Sequence, residues 1–122
     1  MKSHLEVNVI SHTRSSFTLE YQTYGHFQGI IENYLFDVYR TREYRKGDVV
    51  VDVGAGIGDF SILAANAVGE NGKVLAIEPS TRNFNLLKKN LVKNNIKNVI
   101  IYNYAVSDSS EITTIQFHDE KY

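Results

Sequence analysis

Val49-Val50-Val51-Asp52-Val53-Gly54-Ala55-Gly56-Ile57-Gly58-Asp59-Phe60 is the stretch that decides how this chain folds. An apolar β-branched run reads as a strand buried on both faces. Three glycines at alternate positions interrupt it, and an apolar pattern of helical period follows. Strand, glycine turn and helix start together bring a ligand against bare backbone. Gly54, Gly56 and Gly58 lack a Cβ, so each can take positive φ and leave the main chain open to contact. The dinucleotide fingerprint requires a further glycine where Asp59 stands, so a nicotinamide oxidoreductase is disfavoured. What remains is acid-x-Gly-x-Gly-x-Gly, with Asp52 as the acid.

Downstream, Phe60, Leu63, Ala64, Ala67 and Val68 make one helical stripe, with Asp59 as an expected N-cap and Gly69 as the C-terminal stop. Lys73 to Glu78 reads as a second buried strand ending in an acid. Pro79 stops it, and Ser80 caps a helix that carries Phe84, Leu87 and Leu91 to about Asn94. A third strand starts at Val99 and is expected to run to about Tyr104. Strand-helix-strand-helix-strand with short connections predicts a parallel sheet of order 3-2-1 with right-handed crossovers. Ligands in such sheets lie beyond the carboxyl ends of the strands. The glycine loop, Glu78 and Tyr104-Ala105-Val106 all fall at that edge. A carboxylate at Glu78 can accept both hydroxyls of a ribose. Asp52 either reaches a ligand amino group or hydrogen-bonds the glycine loop.

Upstream, Leu5, Val7 and Val9, then Phe17, Leu19 and Tyr21, alternate with polar neighbours and predict a β-hairpin. Tyr24-Gly25-His26 reads as a break. Phe27, Ile31, Tyr34, Leu35 and Val38 then predict a helix over about 28–44. Residues 1–46 thus form a hairpin-and-helix extension, acting as a packing element or as a cap over the site, and residues 47–122 a partial nucleotide-binding domain. His4, His12 and His26 share no ligand spacing, so no metal site is expected.

Taken together, Gly47 to Gly58, Ala76-Ile77-Glu78-Pro79-Ser80, the Leu87 to Asn90 segment and Ala105-Val106-Ser107-Asp108 resemble, in order, the motifs of the FkbM-type class I S-adenosylmethionine-dependent methyltransferases. The resemblance covers residues 46–117. It implies a three-layer, Rossmann-like α/β fold, here truncated, and a chain that supplies the half binding S-adenosyl-L-methionine. The implied cofactor-binding residues are Asp52, Gly54, Ala55, Gly56, Gly58, Glu78, Pro79, Ser80, Tyr104, Ala105 and Val106. The implied reaction is O-methylation of a hydroxyl on a sugar or small natural product. No residue stands out as a catalytic base. The fourth-strand acidic motif and the later strands of that family are absent from the sequence, so a non-catalytic binding or interaction module is the alternative reading.

The 122 residues suffice for one small domain, with a net charge of -1 and no cysteine. Nothing in that balance calls for nucleic acid or an anionic membrane. A small-molecule acceptor and a cytoplasmic setting are therefore the expectations, without a signal-peptide core or a bilayer-length apolar run. One further expectation concerns Val49 to Val53. A strand apolar on both sides must be covered, by the hairpin, by the Ile112 to Phe117 alternation, or by a second copy of the chain in a homo-oligomer.

Overall fold

The computed structural model describes residues 5–10, 15–112 and 114–116. Strands β1 (Leu5–Ile10) and β2 (Ser16–Tyr21) pair antiparallel, with Val7 opposite Leu19. Helix α1 (Tyr24–Tyr34) follows, then a 3-10 turn at Thr41–Glu43. The second half runs β3 (Val49–Val53), α2 (Asp59–Val68), β4 (Lys73–Ile77), α3 (Thr81–Lys93) and β5 (Val99–Tyr102). The three later strands form one parallel sheet, β3-β4-β5, with Asp52 beside Ala76 and Ala76 beside Ile101. This is the 3-2-1 order expected from alternating strands and helices.

One face of that sheet is the core. Val74 and Ala76 are fully buried there beneath Ile62, Leu63, Ala64 and Val68 of α2 and Leu87 and Leu91 of α3. The hairpin packs on the far side of the helices through Phe17 and Leu19, and Phe17 meets Tyr34 edge-on at 5.6 Å. Each side chain so buried contributes roughly 1.5–3 kcal/mol, so the N-terminal extension is part of the core and not an appendage. Polar ties reinforce it. Asn90, completely buried on α3, accepts from Glu20 N at 2.7 Å and donates to Glu20 O at 3.0 Å and to Ile57 O at 2.9 Å. Asn94 joins the same strand, accepting from Thr18 N and donating to Thr18 O, and Lys93 pairs with both Glu6 and Glu20.

Several elements differ from the sequence reading. Helix α1 begins where a break was expected, because Thr23 accepts a cap bond from His26 N and its carbonyl accepts from Phe27 N. It ends at Tyr34 and not near residue 44. Asp37 and Arg40 take left-handed φ of 48° and 53°, which no helix continues through. The apolar residues that prolonged the pattern, Leu35, Phe36 and Val38, are exposed. Asp59 is the first helical residue, and the N-cap is Gly58, which offers no side-chain bond. Strand β5 stops at Tyr102.

The largest difference lies on the other face of the sheet. Both crossovers place their helices on the core face, so Val49, Val51 and Val53 of β3 stand 66%, 57% and 61% exposed, with Ile100 and Tyr102 of β5 also exposed on that side. The first strand is therefore an edge strand buried on one face only. Neither the hairpin nor the described part of 112–117, which forms no strand, lies over it; Thr113 and Phe117 fall outside the described residues. Among the described residues no helix is long and apolar enough to cross a membrane.

Candidate functional site

The carboxyl ends of β3 and β4 build the site. Gly54 N and Ala55 N both donate to Ile77 O, at 2.8 and 3.0 Å, which folds the glycine loop onto the end of β4. Glu78 closes the fold from the other side. Its Oε2 accepts from Gly56 N and its Oε1 from Ser80 N, both at 2.8 Å, and the residue is 4% exposed. Each carboxylate oxygen keeps a second lone pair, so two hydroxyls can still be accepted after both backbone bonds are made. Ser80 also accepts from Asn83 N, capping α3 as its position after Pro79 suggested.

The three glycines do different work. Gly54 and Gly56 take φ of +78° and +56°, and a Cβ on either would meet nothing within 4 Å, so their main chain faces open space. Gly58, at φ +87°, is different: a Cβ there would stand 2.4 Å from Leu87 Cδ1. Its bareness lets α2 and α3 approach each other and leaves no surface for a ligand.

Asp52 is buried and accepts from the Ser61 hydroxyl of α2, itself fully buried. Neither alternative considered for Asp52 describes that bond, which anchors the first turn of α2. Desolvation raises the Asp52 pKa, the Ser61 bond opposes the rise, and the Glu78 charge adds to it. Tyr104, Ala105 and Val106 lie exposed past the end of β5, with the Tyr104 ring stacked against Tyr102 at 6.3 Å.

Sequence reasoning missed three contributors. Asn103 donates to Glu78 O at 2.8 Å and to Pro79 O at 3.1 Å, tying the end of β5 to the Glu78 turn. Asn33 of α1 donates to Asp59 Oδ2 at 2.6 Å, and the Tyr34 hydroxyl donates to Asp59 O at 2.9 Å. These contacts join elements 25 or more residues apart, which no local pattern announces. A cleft of about 450 Å³ lies between α1 and the glycine loop, lined by Gly29, Glu32 and Asn33 on one side and by Asp52 to Gly56 and Asp59 on the other. A larger cavity of about 620 Å³ sits beside Gly69–Lys73 and Asn95–Asn98, where the strands begin, and includes none of these residues.

A glycine loop and a strand-end carboxylate, side by side at the carboxyl edge of a parallel sheet, define a Rossmann-like fold of the class I methyltransferase type. Residues 38–120 match the family model of the TRM5/TYW2 methyltransferase domain, and the chain belongs to that family. A curated relative, the "Probable cobalt-precorrin-6B C(15)-methyltransferase (decarboxylating)" of Sulfurisphaera tokodaii, is 42% identical over 55 residues, 45% of this chain and 29% of its own length. A SAM-dependent methyltransferase from Aquifex aeolicus superposes with a TM-score of 0.51 at 30% identity, covering 57% of this chain and 37% of that one. Trm5b from Pyrococcus abyssi shares the fold over 88% of this chain and 30% of its own, with a TM-score of 0.57 at 22% identity. The chain thus spans about three-tenths of the length of the curated relative it matches. The family is TRM5/TYW2, where the sequence motifs had suggested the FkbM type.

Proposed function

We propose that this chain is the donor-binding half of an S-adenosylmethionine-dependent methyltransferase whose acceptor is a tRNA or a precorrin-type ring, in preference to the sugar hydroxyl implied by the FkbM resemblance. The observation that carries the donor-binding reading is Glu78, held by Gly56 N and Ser80 N with acceptor capacity to spare, next to glycines whose main chain faces open space. The family match and the precorrin relative support the choice of acceptor. When bound, S-adenosylmethionine supplies an electrophilic methyl group on a sulfonium. The chain's own residues then have three tasks. Glu78 accepts the ribose hydroxyls. Gly54, Ala55 and Gly56 let the ligand pack on the main chain. Asn103 keeps the Glu78 turn in register with the end of β5. Methyl transfer depends chiefly on aligning donor and acceptor, so a rigid donor cradle is a large part of what such a protein contributes.

Titration calorimetry with S-adenosylhomocysteine tests the donor claim. Binding by the wild-type chain that Glu78→Ala abolishes is the expected result; equal heats from both proteins remove Glu78 from the site. Transfer of labelled methyl to tRNA, to precorrin-type rings and to hydroxylated sugars tests the acceptor. Labelling of the sugars alone would restore the FkbM-type reading.

A further inference from the structure

The cleft between α1 and the glycine loop is one-sided in its chemistry. Its lining carries three carboxylates, Glu32, Asp52 and Asp59, and the amide of Asn33, but no lysine, arginine or histidine. Asn33 is 5% exposed, and its Nδ2 is committed to Asp59, which fixes the amide so that Oδ1 points elsewhere. That Oδ1 is buried without a hydrogen-bond partner. A buried acceptor left unpaired is costly, which makes it conspicuous beside a cleft. The cleft also adjoins the ribose-binding group, because Gly56 lines it and bonds Glu78.

We infer that this cleft receives the protonated amino group of the donor's amino-acid end, with Asp59 and Asn33 Oδ1 as its acceptors. The inference rests on the donor-binding reading above and adds two residues to it. An ammonium carries three N–H donors and a positive charge, and so matches a pocket whose polar groups only accept. The ligand's carboxylate would be repelled there and must lie outside. Gly29 belongs to the same arrangement: α1 passes so close that a Cβ at Gly29 would stand 3.2 Å from Asp59 Oδ2. Helix α1 is then a wall of the donor site, and the N-terminal extension takes part in recognition.

The charge on Asp59 gives this station a pH dependence. Burial pushes its carboxyl up to about 6, against the lowering effect of the Asn33 bond, with Asp52 contributing a further rise. The other groups around it are Glu32 and Tyr34 on α1 and Tyr44 beyond it; burial raises the tyrosines Tyr34 and Tyr44 and keeps them neutral. Asp59 therefore ionises, and can hold an ammonium strongly, only as pH rises through about 6.

The test compares S-adenosylhomocysteine with its deaminated analogue, identical except for hydrogen in place of the amino group, by calorimetry on the 122-residue chain. The wild type should prefer the aminated ligand by about tenfold or more near neutral pH, and the preference should shrink as pH falls below about 6. Asp59→Asn should reduce the preference to less than about threefold at every pH while leaving the analogue's affinity unchanged. Asn33→Ala and Gly29→Ala should move the ratio in the same direction, which guards against misfolding of any one variant. Equal affinity of the wild type for both ligands, or an Asp59→Asn variant that weakens both equally, overturns the inference while leaving donor binding intact. Failure of the wild type to bind either ligand overturns donor binding, and the inference with it.

Discussion

Replacing Asn90 with alanine should detach the hairpin from the rest of the molecule. The side chain is completely buried and makes three hydrogen bonds, to Glu20 N, Glu20 O and Ile57 O, at 2.7, 3.0 and 2.9 Å. A typical bond contributes about 1 kcal/mol net, so three amount to about 3 kcal/mol. The truncation also strands backbone groups of β2 and the glycine loop away from water, which adds about 1–2 kcal/mol. A total of about 4–5 kcal/mol is a large share of the 5–15 kcal/mol that holds a small domain folded. Urea unfolding followed by circular dichroism measures it, and amide exchange at Glu20 should speed up in the same variant. Asn90→Asp keeps the acceptor for Glu20 N but loses both donors, so its loss should be comparable. A loss below about 1 kcal/mol in Asn90→Ala would refute the reasoning, by showing that water or a repacked loop replaces the amide at little cost.

Other perturbations separate the roles assigned above. Gly58→Ala places a methyl 2.4 Å from Leu87 Cδ1 at φ +87° and should cost about 2–4 kcal/mol, partly relieved by Leu87→Ala in a double-mutant cycle; Gly54→Ala, facing open space, should cost only the backbone strain of about 1 kcal/mol. Asp59 has a folded pKa of about 6 against an ordinary 3.8, so its stabilising contribution is present below about pH 4 and is lost as pH rises through 6. Asp59→Asn should accordingly gain stability relative to the wild type between those limits, and parallel curves in denaturant titrations would contradict the shift. The bare face at Val49, Val51 and Val53 should drive self-association visible in light scattering, and Val51→Lys should disperse it without unfolding the chain, since Val51 is 57% exposed. A wild-type monomer at high concentration would dismiss the idea of a homo-oligomer on this face.

Much of the second half could be read from local pattern, because local pattern is what shapes it. The β-branched run at Val49 to Val53, the Ser80 cap after Pro79 and the alternation of strand with helix each act within a few residues. The failures have the same origin. Periodicity carried the first helix past Tyr34 because Leu35 and Val38 keep the spacing, although left-handed Asp37 and Arg40 end it. Valines on both sides of β3 suggested burial on both faces, yet which face is covered depends on where the crossovers place their helices. Glu78 was legible as a strand-end acid beside a glycine turn. Asn33, Asp59 and Asn103 were not, since their partners lie in elements brought together only by the fold.

The ties between hairpin and α3 also have a consequence for how the chain is made. Glu20 and Asn90 are 70 residues apart, Thr18 and Asn94 76, and Glu6 and Lys93 87. During synthesis β1 and β2 leave the ribosome well before the helix they pack on. At about 5–20 residues per second, the hairpin waits roughly 4–15 s for α3 to be made. A two-stranded hairpin has little stability of its own, and Phe17 and Leu19 stay unprotected for that interval. Such distant closures also slow refolding of the finished chain. A nascent chain halted short of Asn90 therefore presents two apolar side chains with nothing to bury them, which is the kind of surface a chaperone would hold.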